Sequence, residues 1–141
     1  YISKKNIKIN IFGSRKNLPS KIINIFEQAE KLNKKNYNMQ LNLAFNYGFK
    51  EEISDIINKI SVKNYNKFNE KNIKNLFYLG SICDPDILIR TGGYKRLSNF
   101  IMYNLTYTEL FFTDTLWPDF SISEFENIIK KYLKIDRNYG L

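Results

Sequence analysis

The apolar residues of this chain switch back and forth between two spacings, and that switching limits the folds open to it. In "NIKINIF", residues 6 to 12, Ile7, Ile9 and Ile11 fall on one side of an extended segment, the period of a half-buried strand. After Gly13 and Ser14, "PSKIINIFEQAEKLNKK" sets Ile22, Ile23, Phe26, Ala29 and Leu32 at helical spacing, with Pro19 suited to a first turn. The order then repeats. "MQLNLAF" reads as a second strand closed by the turn-forming "NYG", and "KEEISDIINKI" as a helix with Glu51 and Glu52 near the positive end of its dipole. "SVKNYNKFN" reads as a polar connector and "EKNIKNLFYLG" as a short helix stopped by Gly80. "DILIR" is a third strand, apolar without a break from Ile87 to Ile89, which suits cover on both faces. "SNFIMYNLTYTEL" is expected to begin as a helix with Ser98 as its N-cap. "ELFF" gives a fourth strand, "TDTLWPDF" a loop and "SEFENIIKKYL" a final amphipathic helix. Strands alternating with helices imply parallel strands joined by crossovers. The expected fold class is α/β, an open and mainly parallel sheet with helices on both faces.

At 141 residues the chain suits one domain, residues 1–141, with enough apolar content to bury a core. Cys83 is the sole cysteine and histidine is absent, so no intrachain disulfide forms and the usual zinc ligand sets are excluded. A reducing compartment is expected. No apolar run approaches the roughly 20 residues of a spanning helix. The net charge of +8 is unevenly spread: residues 1–83 carry fifteen Lys or Arg against six acids, while residues 84–120 carry three against five. Dispersed lysines of this kind form a solvated face more often than a nucleic-acid surface, and no nucleic-acid partner is expected.

The stretch "DPDILIRTGGYKRLSNF" concentrates hydrogen-bond donors where an apolar strand ends. In open parallel sheets ligands gather beyond the carboxyl ends of the strands. Gly92 and Gly93 allow close backbone approach, and a helix starting near Ser98 would offer unpaired N–H groups. Two of the four arginines in this lysine-rich chain, Arg90 and Arg96, lie here. Their donor forks match phosphate oxygens better than an ammonium does. An ordinary alternative stands beside this reading: both arginines could pair with Asp84, Asp86, Asp114 or Glu109 as surface bridges, with Ser98 merely capping a helix. Glu109 would then be simply an arginine partner; near a basic site it could equally serve a metal. Asp114 and Asp119 fit turns or caps better than metal ligation, and Trp117 fits packing better than chemistry.

Residues 86–120, "DILIRTGGYKRLSNFIMYNLTYTELFFTDTLWPDF", resemble the cis-prenyltransferases, particularly the undecaprenyl diphosphate synthase type. The resemblance rests on Arg-Thr-x-Gly-x-x-Arg-x-Ser-Asn-Phe, then Glu-Leu-x-Phe-Thr-Asp, then Leu-Trp-Pro-Asp-Phe. "IKINIFG" and "LNLAFNYGFKEEI" extend it more weakly. It implies a partial copy of that fold and a set of roles. Arg90, Arg96 and Ser98, with the backbone at Leu97, would hold the diphosphate of isopentenyl diphosphate, and Glu109 would help bind Mg²⁺. The implied reaction condenses isopentenyl diphosphate onto an allylic prenyl diphosphate, giving a polyprenyl diphosphate in an apolar tunnel. The resemblance also implies a homodimer, with the "ELFFTDTLWPDF" region near its interface. The protein would be cytoplasmic or peripheral at a membrane through its lipid product, with the organelle open.

The departures bear on activity. The family's N-terminal loop with its catalytic Asp has no counterpart in these residues, so no principal catalytic residue is assigned and the segment alone is expected to be inactive. Lys95 stands where many bacterial relatives have a metal-binding His, Tyr94 replaces a commonly acidic neighbour, and Phe49 and Lys50 replace the usual Gly-Arg. The alternative function is a non-catalytic partner subunit of a heteromeric enzyme.

Overall fold

A computed structural model describes residues 5–33, 35–63 and 69–138. The chain divides into two compact units, Tyr1–Tyr78 and Leu79–Leu141. All four expected strands form, and they pair in parallel, two in each unit. The α/β class with parallel strands is therefore what the sequence folds into.

In the first unit β1 (Ile7–Phe12) pairs with β2 (Met39–Ala44), Ile9 opposite Leu41 and Phe12 opposite Ala44. The connection between them runs through α1 (Ser20–Lys31), whose N-cap is Pro19; the proline carbonyl accepts from Ile22 N–H at 2.9 Å and Ile23 N–H at 3.3 Å. The edge of β1 away from β2 is closed by side chains. The Asn33 carboxamide accepts from Ile9 N–H at 2.7 Å and donates to the Ile9 carbonyl at 2.6 Å, while Glu30 accepts from Ile11 N–H at 3.0 Å. An amide side chain thus satisfies backbone groups that would otherwise invite another strand. Gly13 follows at φ +119°, and a Cβ there would stand 2.1 Å from the Phe45 carbonyl oxygen, so the turn admits no side chain.

α2 (Phe49–Lys63) runs three residues beyond the expected helix end at Ile60, and residues 64–68 of the expected connector lie outside the described residues. α3 (Glu70–Lys74) is shorter than expected. Asn69 caps it, accepting from Asn72 N–H at 2.8 Å, but the chain then tightens into i to i−3 turns at Leu76 and Phe77 long before Gly80. Phe77 is buried and stacks on Phe49, 6.0 Å between ring centroids.

Among the described residues Glu52 is the buried charge of this unit, 5% exposed. Its carboxylate accepts from the Tyr47 hydroxyl at 2.6 Å and from Tyr78 N–H at 2.6 Å, which offsets the cost of its burial. Burial first, then the charges of Asp55, Glu52 and Glu51, push the Tyr78 phenol above its ordinary value.

In the second unit β3 (Ile87–Arg90) pairs with β4 (Glu109–Phe112) in the register Ile87 to Glu109 and Arg90 to Phe112. Ile87, Leu88 and Ile89 were expected to be covered on both faces. Each is only half-buried, as befits a sheet two strands wide within this unit. The larger departure is the segment between the strands. No α-helix starts at Ser98; Ser98 and Asn99 have φ of +49° and +65°, and the only regular element among residues 98–108 is a single 3₁₀ turn, Met102–Leu105. Left-handed residues cannot continue into a right-handed helix, so Ser98 caps nothing.

α4 (Ile122–Tyr132) closes the unit, with Ser121 as N-cap accepting from Glu124 N–H at 3.2 Å. Among the described residues seven apolar side chains are buried: Ile9, Phe12, Ile56 and Phe77 in the first unit, and Ile101, Leu105 and Ile128 in the second. No described helix is long and apolar enough to cross a membrane.

Candidate anion-binding site

Arg90 is the last residue of β3, so the strand delivers its guanidinium to the carboxyl end of the sheet. The chain then turns back through Gly92 and Gly93, at φ +89° and +80°, and their N–H groups donate to the Thr115 and Thr113 carbonyls at 2.9 Å each. This return brings Arg96 and Ser98 to Arg90. Arg90 Nη1 donates to the Ser98 hydroxyl at 2.7 Å and also to the Arg96 carbonyl, and Arg96 Nε donates to the same hydroxyl at 3.2 Å. Three of the expected anion ligands therefore meet around one oxygen atom. Leu97, the fourth, contributes backbone: its carbonyl accepts from Phe100 N–H at 3.2 Å, and its own N–H meets no acceptor among the described residues.

The surface-bridge reading of these arginines does not hold among the described residues. Asp86 pairs with Arg137, Nη1 to Oδ1 at 2.6 Å, and Asp84 accepts from the Asn104 carboxamide at 3.0 Å. Neither Arg90 nor Arg96 has a carboxylate of the described residues within ion-pair distance. The two guanidiniums are held together by a neutral hydroxyl and a carbonyl, leaving further N–H groups on each for an acceptor from outside.

The cluster forms one wall of a cavity of about 460 Å³. Arg90, Arg96 and Ser98 supply its polar side; Ile87, Ile89, Phe100, Ile101 and Leu105 supply its apolar side. That division suits a ligand with an anionic head and a short hydrocarbon body. A second cavity, about 610 Å³, lies beyond β1 and includes Arg15 and Lys16, but these already face Glu30 and Glu51 at 3.3 and 4.0 Å.

Glu109 is not brought to this cluster. It opens β4 opposite Ile87, three register positions from Arg90, which is about 10 Å along the strand. Its N–H donates to the Asp86 carbonyl at 3.0 Å. No group of three His, Cys, Asp or Glu side chains among the described residues could hold a metal ion. The described residues thus do not build a Mg²⁺ site on their own. Lys95 is exposed on the loop between the two arginines. Trp117 is 74% exposed and stacks on Phe120 at 6.3 Å, and Asp119 sits in the short Trp117–Asp119 turn.

Residues not singled out from the sequence hold the loop in place. Glu124 in the first turn of α4 accepts from Thr113 Oγ1 at 2.5 Å and Thr115 Oγ1 at 2.9 Å. These are the threonines whose carbonyls tether Gly92 and Gly93. The Ser-x-x-Glu spacing of Ser121 and Glu124 is the sequence signal for a helix start there.

The family model described as "Putative undecaprenyl diphosphate synthase" matches residues 1–140. The chain belongs to this family. It is 39% identical to an isoprenyl transferase of Aquifex aeolicus over 134 residues, covering 95% of this chain and 58% of that protein. It is 36% identical to a geranylgeranyl-diphosphate-specific tritrans,polycis-undecaprenyl-diphosphate synthase of Thermococcus kodakarensis, covering 99% and 55%. Among solved structures, lavandulyl diphosphate synthase from Lavandula x intermedia, in complex with dimethylallyl diphosphate, superposes with a TM-score of 0.90 at 29% identity, covering 98% of this chain and 62% of that one. A probable undecaprenyl diphosphate synthase from Campylobacter jejuni gives 0.86 at 30% identity, covering 98% and 65%. The chain therefore spans less than two thirds of the length of these family members, and its fold reproduces the corresponding part of theirs.

Proposed function

We propose that the chain supplies the isopentenyl diphosphate site of a cis-prenyl elongation reaction. The observation that carries this reading is the convergence of Arg90 and Arg96 on Ser98 with no carboxylate among the described residues to neutralise them, against a cavity that is apolar on its other side. Such a site is matched by a diphosphate joined to a small alkene. The co-substrate is an allylic prenyl diphosphate, the class to which the dimethylallyl diphosphate held by the lavender relative belongs.

In this reaction the allylic carbon–oxygen bond breaks and its electron pair leaves with that diphosphate. The π electrons of the isopentenyl double bond form the new carbon–carbon bond, and loss of a proton from the adjoining carbon leaves a new cis double bond. The isopentenyl diphosphate group stays attached throughout. Arg90, Arg96, Ser98 and the Leu97 N–H therefore orient a substrate by its head and do not assist a leaving group. Their contribution is positional, fixing the alkene relative to the electrophile. Glu109 would hold a Mg²⁺ only together with ligands from beyond the described residues, and the reading of the arginine site does not depend on it. A second copy of the chain and a peripheral place at a membrane, through the lipid product, complete the proposal.

Arg96→Ala in the natural full-length protein tests it. The KM for isopentenyl diphosphate should rise roughly tenfold or more, as the loss of a charge-assisted hydrogen bond implies, while the KM for the allylic substrate stays near the wild-type value. An unchanged isopentenyl diphosphate KM would refute the assignment.

A further inference from the structure

The ring of Tyr94 lies against both arginines of the site. Arg96 Cζ is 4.4 Å from the ring centroid and Arg90 Cζ is 6.0 Å from it. The side chain is 58% exposed, so core packing does not explain its position. What does need explaining is the pair beneath it. Two guanidiniums share the Ser98 hydroxyl and have no carboxylate within ion-pair distance among the described residues. Like charges drawn to one neutral acceptor repel.

An aromatic face offsets that repulsion without using up donors. The ring quadrupole attracts a cation along the ring normal, whereas guanidinium N–H bonds point outward in the guanidinium plane. A carboxylate in the same place would accept those N–H groups and compete with any incoming phosphate. A ring leaves them available. We propose that Tyr94 is a positioning residue, whose ring face holds Arg90 and Arg96 together and ready for the diphosphate, and whose hydroxyl is dispensable. This inference rests on the anion-site reading of Arg90, Arg96 and Ser98.

The test is calorimetric titration of inorganic pyrophosphate into the natural full-length protein and three variants. Tyr94→Leu should weaken binding roughly three- to tenfold, the range of a partly exposed cation–π contact, and Tyr94→Phe should bind as wild type does. Arg96→Ala should bind more weakly than either. In turnover, Tyr94→Leu should raise the KM for isopentenyl diphosphate while leaving kcat and the allylic KM near wild type. If Arg96→Ala weakens binding and Tyr94→Leu does not, the role of Tyr94 is overturned while the anion site stands. If Tyr94→Phe is as weak as Tyr94→Leu, the hydroxyl is the acting group and the proposal fails. Wild-type binding by Arg96→Ala would overturn the anion site and the role of Tyr94 with it.

Discussion

The Ser98 hydroxyl lies 2.7 Å from Arg90 Nη1, although eight residues separate them and one ends a strand while the other sits in a left-handed turn. The contact exists because the loop doubles back at Gly92 and Gly93. It gathers two arginines from either side of the turn into one cationic surface.

Two substitutions at Ser98 separate its hydroxyl from its backbone. Ser98→Ala removes the shared acceptor and should weaken pyrophosphate binding by roughly tenfold. Ser98→Gly should lose the same affinity yet be more stable than the alanine variant by about 1 kcal/mol, because glycine relieves the positive φ of +49°. Calorimetric titration and urea unfolding read the two effects independently.

Glu124→Ala removes the acceptor of both the Thr113 and Thr115 hydroxyls. Those threonines carry the carbonyls that hold the Gly92 and Gly93 turn. The expected result is a rise in KM for isopentenyl diphosphate together with a loss of about 1–3 kcal/mol in stability. Glu124→Gln, which can still accept at its carbonyl oxygen, should recover most of both.

In the first unit, Glu52→Ala should cost about 1–3 kcal/mol, since the Tyr78 N–H and the Tyr47 hydroxyl both lose their acceptor. Glu52→Gln should cost less, because one carbonyl oxygen remains. Denaturant midpoints at constant slope measure the difference.

The Tyr78 phenol titrates above the ordinary value because burial, then Asp55, Glu52 and Glu51, disfavour the phenolate. The folded state therefore holds this proton more tightly than the unfolded chain. Its contribution to stability is complete below about pH 10, the ordinary tyrosine value, and is lost as pH rises through the higher folded-state value. Ultraviolet titration should show a late-ionising tyrosine that disappears in Tyr78→Phe, and the variant's stability should fall less steeply in alkali.

The sequence by itself determined the strands, most of the helices and the residues of the proposed anion site. The spacing of Ile7, Ile9 and Ile11, and the apolar runs at Ile87–Ile89 and Leu110–Phe112, record local backbone preference and one-sided burial directly. Arginine and serine at positions 90, 96 and 98 are chemical facts of the chain. Tertiary structure decided what those residues do. Ser98 has the composition of a helix cap, but hydrogen bonds from Arg90 and Arg96 meet it in a left-handed conformation that no local preference would choose. Asp86 could have neutralised Arg90 on sequence proximity alone; a guanidinium 51 residues away, that of Arg137, takes it instead. Glu109 belongs to the same run of motif residues as Arg90, yet strand register sets it at the opposite end of the sheet. Hydrophobic periodicity is a property of neighbours along the chain. Which charges are left unpaired is settled only when distant segments meet.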